Sequence, residues 1–115
     1  MVFSSIGSGA HEATVQCVMQ HGFWQTDVQR AVEGPIFLSP DFTAAGKWAH
    51  TMVERSQFSP AVLAQIEALG QPLSVMDYDT ARPWFAFPVA IAVDAATDAR
   101  AGAATQWENG WASAT

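Results

Sequence analysis

The chain has 115 residues, half of them hydrophobic, so we expect a single domain over residues 1–115 rather than two. Five Lys and Arg stand against eleven Asp and Glu, and a net charge of -6 excludes the basic footprint that nucleic acid or an anionic membrane requires of a partner. Only 14% of the residues are charged, whereas five are Trp and seven are Phe. This balance is typical of a subunit whose surface is partly interface.

The first predicted elements are a strand and a helix joined by a glycine-rich break. Residues 2–6 alternate in a β-like pattern and run into Gly7-Ser8-Gly9. From His11 no Gly or Pro occurs until Gly22, which predicts a helix of about three turns. The residues that we expect on its buried face are Thr14, Cys17, Val18 and His21.

A second helix and two strands are predicted in the middle of the chain. Thr26-Asp27 offers an N-cap for a short helix through Glu33, which Gly34-Pro35 ends. Short strands are predicted at residues 36–38 and 48–54, on either side of a loop.

Ser59-Pro60 is the strongest helix start in the sequence, because a hydroxyl at the N-cap precedes a proline at the first helical position. The predicted helix ends at Gly70. Its expected buried stripe consists of Val62, Leu63, Ile66 and Leu69.

The last third of the chain reads as strands. Residues 73–78 form one, and residues 84–94 form a longer one that is apolar on both faces and therefore expected to be deeply buried. A turn at Thr97-Asp98 and a short strand at residues 101–105 complete a hairpin. The order of elements predicts an α+β fold, with a mostly antiparallel sheet and helices packed on one face.

The glycine-rich turn at residues 7–10 is the main candidate for chemistry. Between a strand and a helix, its backbone N–H groups could point with the helix dipole at an anion or a developing oxyanion. A turn that simply needs glycine is the alternative interpretation. The third Gly and the downstream acid of a dinucleotide fingerprint are missing, and no phosphate-binding P-loop occurs.

The other polar candidates have structural interpretations. His11, His21 and His50 form no metal-ligand spacing, so we expect neither a metal nor a cofactor. His11 could line a pocket beside the glycine turn, or could lie at the surface or cap the helix. Cys17 is expected to be a small buried apolar residue. Asp77 and Asp79 predict a solvated strand end, while Trp84, Phe85, Phe87, Trp107 and Trp111 are interpreted as core or interface aromatics.

Three segments resemble the C-terminal part of the small subunit in the gamma-glutamyltransferase family. The members of this family are N-terminal-nucleophile (Ntn) hydrolases. Residues 3–38 are similar to the family's strand, Gly-Ser-Pro-Gly-Gly loop, helix and Ala-Pro-Arg phrase. Residues 53–77 resemble its Glu-containing strand, helix and Gly-His turn, and residues 88–114 its closing hairpin. The resemblance implies that the chain forms part of an αββα layered sandwich.

Each family motif is altered in this sequence. The glycine loop is Gly7-Ser8-Gly9-Ala10, one residue shorter and without proline. Ala-Pro-Arg is replaced by Gly34-Pro35-Ile36, and Gly-His by Gly70-Gln71. The closing Asp-Pro-Arg is replaced by residues 105–107.

The resemblance implies specific roles for residues 8–11. The backbone N–H groups of Gly9 and Ala10 would form the oxyanion hole, and Ser8 and His11 would contact the substrate. The family's nucleophile is a threonine whose own α-amine serves as the general base. Met1 and Val2 carry no hydroxyl, so the resemblance assigns the nucleophile to another polypeptide or implies its loss.

The expected function is therefore a subunit or fragment of a gamma-glutamyltransferase-like amidohydrolase or acyltransferase. Its expected partners are the polypeptide with the threonine and a small-molecule amide. The alternative is a non-catalytic module, either a degenerate remnant used for assembly or a ligand-binding domain. The longest apolar run, residues 84–93, is too short for a membrane span, and the first residues do not predict a secretory signal, so we expect a cytoplasmic protein.

Overall fold

Two three-stranded sheets and four α-helices make up the part of the chain that the computed structural model describes, which is residues 1–7, 9–40 and 49–105. In chain order the elements are β1 (Val2–Ile6), α1 (Ala10–Gly22), α2 (Val28–Glu33), β2 (Phe37–Leu38), β3 (Thr51–Glu54), α3 (Pro60–Ala68), β4 (Leu73–Met76), α4 (Tyr78–Ala81), β5 (Phe87–Val93) and β6 (Arg100–Ala104). The predicted α+β class is confirmed.

Sheet A consists of β1, β5 and β6, with β5 in the centre and both pairings antiparallel. Val2 lies opposite Ile91 in the first pairing, and Val93 opposite Arg100 in the second. Helices α1 and α2 cover one face of this sheet, as the sequence predicts. The core between α2 and the sheet contains Val28, Val32, Ala90 and Ala103, with Phe3 and Ala92 beside them.

Sheet B has the order β2, β3, β4. Strands β2 and β3 are antiparallel, whereas β3 and β4 are parallel and are connected through α3. All four residues of β3 are buried, because neighbours lie on both of its edges and both of its faces. A second core cluster joins sheet B to α1 and to the segment before β5, and it contains Ala13, Ile36, Leu38, Met52, Ala81, Phe85 and Ala86.

Side-chain caps fix two of the helix starts at the predicted residues. The Asp27 carboxylate accepts hydrogen bonds from the N–H groups of Gln29 at 2.9 Å and Arg30 at 3.3 Å, so α2 begins where the sequence predicts. The Ser59 hydroxyl accepts from the Val62 N–H at 3.3 Å, with Pro60 at the start of α3.

The prediction for residues 84–94 is wrong in extent and in burial. Residues 82–84 form a 3-10 turn, Phe85 enters the core, and β5 begins only at Phe87. The strand is covered on one face alone. On the other face Val89, Ile91 and Val93 are 44–49% exposed, because no described element packs over them.

The strand predicted at residues 73–78 is two residues too long. It ends at Met76, because the Asp77 carbonyl accepts hydrogen bonds from the N–H groups of Thr80 at 3.0 Å and Ala81 at 2.9 Å, and these start the unpredicted helix α4. Asp77 and Asp79 are exposed, as the sequence predicts.

Two predicted helix faces differ from the observed ones. Of the four residues assigned to the buried face of α1, only Cys17 is buried, and Ala13 is its buried companion. Helix α3 has the predicted start but buries none of its residues: Val62 is 41% exposed, and Leu69, just past its end, is 88% exposed. In both helices the spacing locates an apolar stripe without showing what covers it.

Candidate functional site

The glycine-rich turn lies where the sequence places it, between β1 and α1. Gly7 has φ +111° and Gly9 has φ +71°, both in the left-handed region that favours glycine. Gly9 is the N-cap of α1 and has no side chain to cap it. Ser8 lies outside the described residues, so its expected contact with substrate stays a prediction.

The turn packs tightly against the second core cluster, which lies between sheet B, α1 and the segment before β5. A Cβ added to Gly9 would lie 1.9 Å from Leu38 Cδ2, and one added to Gly7 would lie 3.3 Å from the Ala86 Cα and the Phe85 carbonyl oxygen. Leu38, Phe85 and Ala86 are all buried. A side chain at position 9 would therefore be strained in this backbone conformation and would also displace the Leu38 side chain.

The first turn of α1 directs its N–H groups out of the helix end. The Gly9 carbonyl accepts from the Ala13 N–H at 2.9 Å, and the Ala10 carbonyl accepts from the Thr14 hydroxyl at 2.7 Å. With these carbonyls held inside the helix, the N–H groups at its start have no carbonyl partner within it. The positive end of the helix dipole adds to their potential, so the arrangement can stabilise a negatively charged oxygen.

Two side chains next to this turn have different environments. His11 is exposed, which is compatible with either of its predicted roles. Glu12 is half-buried, and its Oε1 accepts a hydrogen bond from the Ser39 hydroxyl at 2.6 Å. The sequence does not predict this contact, because Ser39 is 27 residues away and no local pattern connects it with Glu12.

The remaining candidates have structural environments. Burial raises the pKa of the Cys17 thiol to about 11, so it stays protonated at neutral pH and is a poor nucleophile. His21 Nδ1 lies 2.9 Å from the Thr26 carbonyl oxygen, His50 is exposed, and Asp77 pairs with Arg55 at 2.9 Å. Among the described residues no group of three His, Cys, Asp or Glu could hold a metal ion.

Two apolar clefts lie on either side of Phe37 and Phe58. One, of about 260 Å³, separates α3 from sheet B and is lined by Ile66 and Leu73 among others. The second, of about 480 Å³, is bordered by α1 and Trp24. Gly9 and Ala10 line neither cleft. No helix in the described part of the chain is both long and apolar enough to cross a bilayer.

Comparison with known proteins gives a result only at the level of structure. No family model and no curated protein matches the sequence. Gamma-glutamyltranspeptidase from Pseudomonas nitroreducens is similar over 99% of this chain and 54% of its own, with a TM-score of 0.74 and 14% identity. The transpeptidase enzyme CapD from Bacillus anthracis is similar over 98% and 62%, with a TM-score of 0.70 and 15% identity.

Gamma-glutamyltranspeptidase from Helicobacter pylori gives a TM-score of 0.69 at 13% identity, over 93% of this chain and 53% of its own. At such identities the similarity shows the fold. The chain therefore has the α+β fold of the matching part of these transpeptidases, and it spans 53–62% of the length of the solved chains that it matches.

Proposed function

We propose that this chain is part of a gamma-glutamyltransferase-like enzyme that cleaves or transfers amide bonds, and that it supplies the oxyanion-binding loop but not the nucleophile. The observation that carries the proposal is the geometry of the glycine turn. Gly9, in the left-handed conformation, directs the first N–H groups of α1 away from the helix, in a fold shared with gamma-glutamyltranspeptidases. A small-molecule amide of the gamma-glutamyl type is the proposed substrate.

The proposed reaction uses the N–H groups of Gly9 and Ala10 when the amide carbonyl becomes tetrahedral. A threonine hydroxyl outside residues 1–115 attacks the carbonyl carbon, and its α-amine accepts the proton. The carbonyl oxygen becomes negative and accepts hydrogen bonds from the two N–H groups. The C–N bond then breaks as the leaving amine takes the proton, and water or a second amine releases the acyl group from the threonine.

The outer face of sheet A supports the proposal of a partner polypeptide. We define this outer face by Val2, Ile6, Val89, Ile91 and Val93, and all five are exposed. In β5 the larger apolar side chains point outwards, while Ala90 and Ala92 point towards the helices. A chain that worked alone would place the larger ones inside, so the proposed partner layer, carrying the threonine, covers this face.

One observation favours a non-catalytic assembly or ligand-binding module instead. Where the family resemblance expects the arginine of Ala-Pro-Arg, this chain has Ile36, which is 4% exposed and belongs to the core. The position that the resemblance gives to an arginine is therefore occupied by an apolar core residue. We also propose a cytoplasmic location for the protein. The single cysteine, Cys17, is buried and free, which is compatible with a reducing compartment.

The first experiment separates these two functions. The chain is purified alone and together with the products of neighbouring genes, and its mass in solution and its hydrolysis of gamma-glutamyl-4-nitroanilide are measured. An enzyme part is expected to co-purify with a chain that begins with Thr and to release nitroaniline only in that complex. A folded monomer that has no partner contradicts the proposal.

A substitution at Ala10 then tests the oxyanion role. Gly9→Val is unsuitable, because its side chain would clash with Leu38. Ala10→Pro removes one N–H at the first helical position, and a complex that assembles with it should have kcat lower by about 100-fold or more. Ala10→Gly keeps the N–H group and should retain activity. Unchanged activity of an intact Ala10→Pro complex contradicts the oxyanion assignment.

A further inference from the structure

The side chain of Gln16, in the second turn of α1, acts on the outer edge of sheet B as a neighbouring strand would. Its Nε2 donates to the Phe37 carbonyl at 2.9 Å, and its Oε1 accepts from the Phe37 N–H at 3.1 Å. On its other side β2 pairs with β3, with Phe37 opposite Val53. A single carboxamide thus satisfies both backbone groups of an edge residue.

Two more contacts connect the same short segment with the start of α1. The Ser39 hydroxyl donates to Glu12, and Leu38 fills the space where a Cβ of Gly9 would lie. Gln16 Nε2 also lies 3.0 Å from the Glu12 carbonyl, which ties its carboxamide to the first turn. Three consecutive residues, 37–39, therefore meet the first two turns of α1.

These contacts differ in what they can fix. The buried residues of α1 that face the core, Ala13 and Cys17, are small and apolar, and packing of this kind has no direction. The paired hydrogen bonds of Gln16 have defined distances and angles, so they resist sliding of α1 along β2. Such sliding would carry Gly9 and Ala10 with it.

We propose that Gln16 is a positioning residue, which holds α1 at a fixed height against β2 and thereby places the N–H groups of Gly9 and Ala10 for the oxyanion. This role rests on the proposed function. The N–H donors act only within about 2.7–3.1 Å of the oxyanion, and a misplacement of about 1 Å can cost about 100-fold in rate. In this role Gln16 acts through the helix and not by contact with the substrate or the nucleophile.

The test compares Gln16→Met, which keeps the length of the side chain without its hydrogen bonds, with Gln65→Met on the exposed face of α3. Both are made in the catalytically active complex, and rates for gamma-glutamyl-4-nitroanilide are expressed per assembled complex. We expect Gln16→Met to lower kcat by about 10-fold to 100-fold with KM changed less than about threefold. Gln65→Met should match the wild type.

Gln16→Glu adds a second readout, the pH dependence of kcat, which a purely structural role would not change. A carboxylate cannot donate to the Phe37 carbonyl, but a protonated carboxyl both donates and accepts as the carboxamide does. Relative to the wild type at each pH, its kcat should therefore rise as the pH falls towards about 4.3, the ordinary pKa of Glu. The protection factor of the Phe37 amide against hydrogen exchange should fall in Gln16→Met, whereas Gln16→Glu keeps an acceptor oxygen for this N–H and should retain the protection.

The outcomes separate this role from the proposed function. Faster exchange at Phe37 with unchanged kcat in Gln16→Met means that Gln16 only protects the sheet edge, and it overturns the positioning role while the enzyme proposal stands. Unchanged exchange at Phe37 overturns the contact itself. If the wild-type complex hydrolyses no amide, the proposed function fails first and the positioning role fails with it.

Discussion

In strand β5 both faces of sheet A carry apolar side chains, but one face is covered by helices and the other is exposed. On the inner face Ala90 is 5% exposed beneath α2, whereas its neighbour Ile91 on the outer face is 49% exposed. Alternation along β5 assigns residues to two faces but does not show which face is covered. Covering is decided by other parts of the fold, and no described element packs over the outer face.

The larger apolar side chains of β5 lie on the exposed outer face of sheet A. Burying a half-exposed Val or Ile stabilises a fold by roughly 1 kcal/mol, and the outer face offers several such side chains together. Helix α3 shows the same imbalance on a smaller scale, because none of the residues in its apolar stripe is fully buried. Contact with the proposed partner layer would therefore stabilise the chain.

The largest expected effect comes from placing a carboxylate on each face in turn. Ala90→Asp puts an unpaired charge beneath α2 and should cost about 3–5 kcal/mol, a large fraction of the roughly 5–15 kcal/mol that stabilises a typical domain. Ile91→Asp faces outwards and should leave the helical circular dichroism unchanged while it prevents assembly with the partner polypeptide. Urea unfolding and light scattering measure the two effects.

Ile91→Val is the control for this pair, since it keeps an apolar outer face and should assemble normally. If the Ile91→Asp chain still forms the complex, the outer face is not the assembly surface. If Ala90→Asp folds as the wild type does, the assignment of the two faces is wrong.

A smaller effect separates the covered helix from the uncovered one. Val32 in α2 is 1% exposed and Val62 in α3 is 41% exposed. Val32→Ala should lower the free energy of unfolding by about 1–2 kcal/mol, because it leaves a small cavity, while Val62→Ala should change it by less than about 0.5 kcal/mol. Both substitutions gain the same helix preference, so their difference in thermal or urea unfolding reports packing alone.

Equal losses at Val32 and Val62 would mean that α3 is covered in solution. Since no described element covers Val62, the cover would then have to come from another chain or from residues outside the described ranges. Repeating the measurement in the complex shows which of the two helices gains stability on assembly.

The sequence predicted those features that depend on neighbouring residues. Caps at Asp27 and Ser59, and the left-handed glycines between β1 and α1, follow from local chemistry and lie where the sequence places them. The family resemblance added the layered fold, which the similarity to solved structures confirms. The oxyanion role of Gly9 and Ala10 stays a prediction.

Features that depend on distant residues were missed. Helix α4 replaced the end of a predicted strand, and Gln16 contacts Phe37 across 21 residues, a pairing that no local pattern predicts. The burial assigned to β5 was wrong for the same reason, because it required knowledge of the covering layer. Local signals therefore located the candidate site, whereas its supports became visible only in three dimensions.

The smallest expected effect is at Asp94, which follows β5 where the two faces of the strand end. Its carboxylate accepts hydrogen bonds from the N–H groups of Ala96 at 2.8 Å and Thr97 at 3.2 Å, and these lower its pKa below the ordinary value of 3.8.

A lowered pKa of Asp94 in the folded state stabilises the hairpin at pH values above the unfolded pKa, and this contribution is lost as the pH falls through the folded pKa. The protection factor of the Thr97 amide against exchange should therefore fall as the pH drops below 3.8, whereas Asp94→Asn, which keeps an acceptor oxygen without a titrating charge, should lack this step. A carboxyl pKa of 3.8 or higher for Asp94 in a nuclear magnetic resonance titration contradicts the assignment. Because Asp94 belongs to neither face, its titration should leave assembly unchanged, which separates local order in the hairpin from the covering of the outer face.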